Sequence, residues 1–262
     1  MLIRSWNLFH GNSCPPGRTS YLEEMVRLAS ADDPDVLLLQ EVPVWALGCL
    51  GTWSAMTTVA DVAQRARLGP LPIPAELGRR LTAINPGVLR SAFSGQANAI
   101  LLGEGLRVTA HDVLTLNPPE FRRAEARRLG LDLLARLAWA KERRICQAVR
   151  AEREGGPPLV VANLHATSSP GDPRIPEAEL RRAAAWVELL AREGDIVVVG
   201  GDLNVGPHAG ALLPGYSEPG SGIDHLLVRG PEPSPLRAWP DERRRREGIL
   251  LSDHTPIELE IP

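Results

Sequence analysis

Six places in this chain set a residue able to bind a cation or move a proton at one end of an apolar run. Asn7 closes "LIRSWN", and Gln40 and Glu41 close "PDVLLLQE". Asn163 and His165 close "LVVANLH", and Asp202 and Asn204 close "IVVVGGDLN". Asp224 stands early in "GIDHLL", while Asp253 and His254 precede the last alternating run, "TPIELEI". A carboxylate directly behind four or five apolar residues is costly to bury without a partner, so each needs a counter-group or a metal. Glu41, Asp202 and Asp253 with the amides Asn7 and Asn204 make an all-oxygen donor set, which suits hard cations such as Mg²⁺ or Mn²⁺. Zinc would want more histidine or cysteine. Two histidines among these oxygens, with an Asp to orient one, are the groups that hydrolytic phosphoryl transfer requires: an activated water and a group facing the departing oxygen.

Each residue also has an innocent use. Asn7 can satisfy buried backbone groups, Asp202 and Asn204 can cap a turn after Gly200 and Gly201, and Asp224 can pair with an arginine. A single histidine such as His165 more often serves packing than catalysis. For Glu41 there are few such uses, and all of these readings would have to hold at once.

The elements that must position these residues read as strands and helices in alternation. "LIRSWNL" is a short buried strand. "SYLEEMVRLAS" is a helix with Ser20 and Glu23 in capping-box spacing, and "PDVLLLQEV" is a second buried strand. Strand, helix and strand in the first 42 residues predict a βαβ unit or a related α/β layer. Residues 51–95, with Pro70, Pro72, Pro74 and Pro86, read as loops and short helices. "NAILLGEGLRVTAHDVLTL" returns to strand, with a turn at Gly-Glu-Gly. Residues 120–141 read as one helix whose leucines, Leu129, Leu133, Leu134 and Leu137, serve packing. "RICQAVRAE" and "PPLVVANLH" are strands, "PEAELRRAAAWVELLARE" is an amphipathic helix, and "DIVVVGGDLN" is a buried strand. The "ERRRRE" segment at 242–247 reads as a solvated loop, His225 is left to a structural role, and His10, His111 and His208 have no motif support. No internal repeat or linker is visible, so the expectation is one domain over 1–262.

These pieces resemble the endonuclease/exonuclease/phosphatase superfamily, the deoxyribonuclease I-like fold. The matching segments are "WNL" at 6–8, "LLLQEV" at 37–42, "NAILL" at 98–102, "ANLHAT" at 162–167, "GGDLN" at 200–204, "GIDHLL" at 222–227 and "SDHTP" at 252–256. Each alone is weak, but they occur in the family's order over nearly the whole chain. The resemblance implies a four-layer α/β sandwich, with two central, mostly antiparallel sheets flanked by helices. It implies a metal held by Glu41 and Asn7 with Asp253 approaching it, and a water and phosphate oriented by Asp202 and Asn204. It also implies His254 held by Asp224, and His165 as a phosphate contact or general acid. His165, where abasic-site endonucleases of this superfamily carry tyrosine, argues away from abasic-site repair.

Composition bounds the substrate without choosing it. A net charge of −3 argues against wholesale coating of nucleic acid. Aromatics at 4% give no exposed aromatic hairpin of the kind a membrane lipase would use. Three cysteines in no paired pattern suggest neither zinc nor a disulfide frame. No signal peptide and no membrane span are read, so a cytoplasmic monomer is expected. The function expected is a phosphoesterase dependent on Mg²⁺ or Mn²⁺, a nuclease-type phosphodiesterase first, with DNA and RNA among its candidate substrates. A phosphomonoesterase acting on a nucleotide, sugar or inositol phosphate is the alternative, as is a silent binding protein of the same fold.

Overall fold

The strand–helix–strand unit read at the N-terminus forms. Strand Leu2–Asn7 runs parallel to Val36–Val42 with Asn7 opposite Gln40. Helix Leu22–Ser30 makes the crossover, burying Leu22, Met25, Val26 and Ala29 at the spacing of one helical face. The helix starts one residue later than a capping box at Ser20 would set it. Tyr21 is its cap and no side chain bonds there; the Tyr21 N–H donates to the Gly11 carbonyl at 2.9 Å and holds the entry of the chain instead.

In this computed structural model, residues 1–68, 71–84, 93–169, 171–217 and 222–262 are described. The chain forms two compact units, Met1–Leu106 with Leu236–Ile261, and Arg107–Pro235. The first carries a six-stranded sheet in the order Arg237–Ala238, Ile257–Glu260, Leu2–Asn7, Val36–Val42, Gln96–Leu102, Thr57–Gln64. Only the pairing of Leu2–Asn7 with Val36–Val42 is parallel. Thr57–Gln64 falls where loops and short helices were expected. It is an edge strand, half-exposed over most of its length, so Thr, Asp and Ala dilute the apolar signal that a central strand would show. Helices Leu50–Ser54 and Ala75–Ile84 account for the helical patches; Pro70 and Pro86 lie outside the described residues.

In the second unit Leu159–His165 runs parallel to Ile196–Asp202, and helix Arg174–Leu190 crosses between them. Ile145–Arg153 pairs antiparallel on one side and Asp224–Arg229 on the other, with Leu106–Thr115 at the edge of this five-stranded sheet. The same topological unit, a βαβ crossover with antiparallel neighbours, is thus built twice from sequences that share no visible repeat. Val160, Ala162, Val197 and Val199 pack with Leu180, Ala183 and Val187 of the crossover helix. The fold is α/β with mostly antiparallel central sheets and helices against them, as expected.

The helix read over 120–141 is two helices, Pro119–Arg128 and Leu133–Ala140. Gly130 takes a left-handed φ of 65°, and Leu131 N–H returns to the Ala126 carbonyl at 2.9 Å, which ends the first helix. Asp132 then caps the second by accepting from Ala135 N–H at 2.8 Å. Leu133, Leu134 and Leu137 do not pack: they are 69%, 76% and 59% exposed. All three cysteines are free. Among the described residues no helix is long and apolar enough to cross a membrane.

Candidate active site

In the first unit, Asn7 ends its strand fully buried, and its Oδ1 accepts from Phe9 N–H at 3.0 Å. Glu41 lies where the ladder between Val36–Val42 and Gln96–Leu102 shifts register, with φ at +52°. A bulge of this kind turns a side chain out of the strand's alternation. Glu41 Oε2 comes 3.2 Å from His10 Nε2. The imidazole is buried and is aimed by left-handed conformations at Phe9 and His10, φ 47° and 54°. Left-handed non-glycine residues cluster where function holds the backbone away from its preferred state. His10, which no sequence motif supports, therefore stands beside the expected metal ligand.

Asp253 is exposed and His254 half-buried, just after strand Ile249–Leu251. Ser252, left-handed at φ 59°, donates from its hydroxyl to the Asn7 carbonyl at 2.7 Å and accepts from His254 N–H at 3.0 Å. Trp6 Nε1 donates to the His254 carbonyl at 3.0 Å. The loop is further held by Arg244, whose Nη1 donates to the carbonyls of Leu251 at 3.1 Å and Ser252 at 2.9 Å. The solvated reading of 242–247 is wrong for this one residue: Arg244 is 5% exposed and pairs with Asp241 at 2.7 Å. A guanidinium matches several carbonyls at once, which favours burial in the turn over solvation.

In the second unit, His165, Asp202 and Asp224 fall opposite one another on three neighbouring strands, His165 facing Asp202 and Asp202 facing Asp224. His165 Nε2 lies 3.4 Å from Asp202 Oδ2, and both side chains are almost wholly buried. Asp202 Oδ1 accepts from Asn204 N–H at 3.2 Å. Asn204, left-handed at φ 50°, donates from Nδ2 to the Ala166 carbonyl at 3.1 Å. Gly201 has φ +127°, and a Cβ there would collide with the Leu164 carbonyl. The pairing of these two strands so near their ends therefore requires glycine.

Two groups the sequence reading passed over complete this end. Arg144 is buried, and its Nη1 lies 3.0 Å from each ring nitrogen of His165; its Nη2 donates to Glu142 at 2.6 Å. Glu179, fully buried in the crossover helix, accepts from Thr167 N–H and hydroxyl, each at 2.7 Å, and from Trp139 Nε1 at 2.6 Å. Burial pushes its carboxyl above the ordinary range, against these donors. It fixes the turn that follows His165. His225 is buried, its Nε2 at 2.9 Å from the Val205 carbonyl, in keeping with a structural role.

Within each unit the expected residues therefore gather: Asn7, Glu41 and the Asp253–His254 loop in one, His165, Asp202, Asn204 and Asp224 in the other. Solved structures with the same fold cover this chain throughout. A functionally unknown conserved protein from Enterococcus faecalis matches at TM-score 0.69 and 14% identity, over 100% of this chain and 99% of that one. An endonuclease/exonuclease/phosphatase from Beutenbergia cavernae matches at TM-score 0.68 and 15% identity, over 100% and 71%. TDP2 from D. rerio, complexed with single strand DNA product, matches at TM-score 0.62 and 13% identity, over 100% and 98%. At such identities the likeness establishes the fold alone. No curated protein sequence matches the chain. The model of the Endonuclease/Exonuclease/phosphatase family, however, matches residues 5–254, from the strand that ends in Asn7 through to His254, and the chain belongs to that family.

Proposed function

We propose that this chain is a divalent-metal-dependent phosphoesterase that hydrolyses a phosphodiester by attack of water, in the manner of a nuclease. The observation that carries the reading is the register of His165, Asp202 and Asp224 across three strand ends, in a chain of a phosphoester-cleaving family. Asn7, Glu41 and Asp253 would hold Mg²⁺ or Mn²⁺. The donor set fits: it is all oxygen, and Glu41 is turned out of its strand by a bulge rather than sealed in the core. A cation held there would supply neutralisation of the phosphate charge as water attacks.

The chain's own residues do the rest. Asp202, a buried carboxylate, accepts the proton of the attacking water, and Asn204, pinned by Asp202 and Ala166, orients the phosphate. His165 with Arg144 beside it directs positive charge at a non-bridging oxygen, where developing negative charge is stabilised. Asp224 lies opposite Asp202 in the strand register, and His254, held in its turn by Ser252, would protonate the departing oxygen as its bond to phosphorus breaks. A family fold seen with a single strand DNA product supports a nucleic-acid diester ahead of a monoester.

The test is metal-dependent hydrolysis of plasmid DNA, single-stranded DNA, RNA, bis-p-nitrophenyl phosphate and p-nitrophenyl phosphate, each beside His254→Ala. Diester cleavage that needs Mg²⁺ or Mn²⁺ and is lost with His254 is expected. Preference for the monoester would replace the nuclease reading by a phosphatase. Silence on every substrate from folded protein would overturn the enzymatic reading on this panel.

A further inference from the structure

Helix Leu133–Ala140, "LLARLAWA", has seven apolar residues in eight, yet Trp139 is its one buried residue. Trp139 is the main anchor of the helix: its indole N–H reaches Glu179 at 2.6 Å, and its ring meets Phe121 edge-on at 6.0 Å. Leu133, Leu134 and Leu137, spaced i, i+1 and i+4, share one helical face. They stand 69%, 76% and 59% exposed. Single exposed leucines are ordinary; three contiguous ones mark a surface that something else covers.

What borders them identifies the cover. Next around the helix comes Arg136, which with Arg122, Arg123 and Arg127 of helix Pro119–Arg128 lines a groove of about 340 Å³. Arg123 meets Glu120 at 3.4 Å, Arg136 donates to the Leu131 carbonyl at 2.8 Å, and the buried Nε of Arg122 has no hydrogen-bond partner. The two helices and their link, residues 119–140, hold five arginines against three acids, in a chain whose net charge is −3. A short apolar face rimmed by guanidiniums is the pattern of a segment lying on an anionic bilayer: leucines enter the acyl boundary, and arginines remain at the phosphates. A nucleic acid would engage the arginines and leave the leucines in water. A second copy would cover the leucines but bring two basic rims together.

We infer that helix Leu133–Ala140 and the arginine groove beside it dock this protein reversibly on an anionic lipid surface. This goes beyond the phosphoesterase reading and does not depend on it.

Co-sedimentation of the full chain with phosphatidylcholine vesicles, and with vesicles also containing phosphatidylserine, tests it. At least ten-fold tighter partition to the anionic vesicles is expected, weakening with salt. The double variant Leu133→Ser with Leu137→Ser abolishes it, and Arg122→Gln with Arg127→Gln weakens it, while circular dichroism and melting stay those of the wild type. Hydrolysis of a soluble ester by the leucine variant should equal the wild type, which separates failure here from failure of the catalytic reading. Three outcomes overturn the inference: equal partition to neutral and anionic vesicles; no vesicle binding while a single-stranded oligonucleotide is retained through Arg122 and Arg127; or a wild-type dimer that dissociates in the leucine variant.

Discussion

The two βαβ units hold their candidate residues by different means. In the 159–202 unit, strand register aligns three of them: His165 falls opposite Asp202, and Asp202 opposite Asp224, with only Asn204 beyond the strand in a left-handed turn. Gly201 is the one special residue that the close pairing demands. In the 2–42 unit, Glu41 reaches its place through a bulge, His10 through two successive left-handed residues, and the Asp253–His254 loop through a left-handed Ser252. Those departures are tied down by polar bonds from Ser252, Trp6 and Arg244. Regular ladders need only the right pairs, whereas irregular backbone needs buttresses, so the two halves should fail differently.

The comparison breaks most visibly in activity. Asp202→Asn should lose on the order of 10³-fold or more in turnover with its metal requirement unchanged, because one member of a coupled catalytic set disables the unit. Glu41→Gln should instead raise the metal concentration for half-maximal activity, with calorimetric titration of Mn²⁺ showing the same shift. If both variants move the same parameter, the division of labour is wrong.

Stability sharpens it next. Gly201→Ala forces a left-handed alanine against the Leu164 carbonyl and should cost roughly 3 kcal/mol or more. At about 2–4 °C per kcal/mol, thermal melting should fall by several degrees at least. Melting like the wild type would mean the approach is looser than the geometry requires. Arg244→Met should cost less, about 2 kcal/mol, by leaving the carbonyls of Leu251 and Ser252 without their donor. Its turnover should drop about ten-fold as the His254 loop loosens, an effect near the lower end of what a positioning loss produces. Unchanged turnover would show that Ser252 and Trp6 hold the loop unaided.

The smallest effect is on acid stability. Burial opposes ionisation of Asp195 and Glu258, but hydrogen bonds from Arg150 to the first, and from Trp239 and Arg4 to the second, hold both below their ordinary values of 3.8 and 4.5. A lowered folded value contributes stability that is fully present above the ordinary carboxylate range and is lost as pH falls through the folded value. Denaturant melts should therefore weaken progressively below pH about 4.5, with Arg150→Gln flattening part of that slope. A slope untouched in that variant would remove the Arg150–Asp195 pair from the account.

Much of this was legible from local pattern. Apolar runs of strand length marked the central strands, because strands covered on both faces carry uniform hydrophobicity. The polar residues ending those runs, Asn7, Glu41, His165, Asp202 and Asn204, do lie at or just beyond the ends of those strands, because an apolar run stops where the strand leaves the core. The edge strand Thr57–Gln64 was not legible, being half-exposed on a sheet margin, nor was the break at Gly130, since two short helices in series keep one helical periodicity.

The sequence by itself determined which residue types stand at which strand ends, and with them the family. Only the tertiary structure decided which other groups reach those ends. His10 meets Glu41 across 31 positions of chain, Arg144 meets His165 across 21, and Glu179 meets Trp139 across 40. Such partners are chosen by packing, not by spacing along the chain. A buried polar group must find its complement wherever the fold brings one within about 3 Å, and no periodicity announces where that will be.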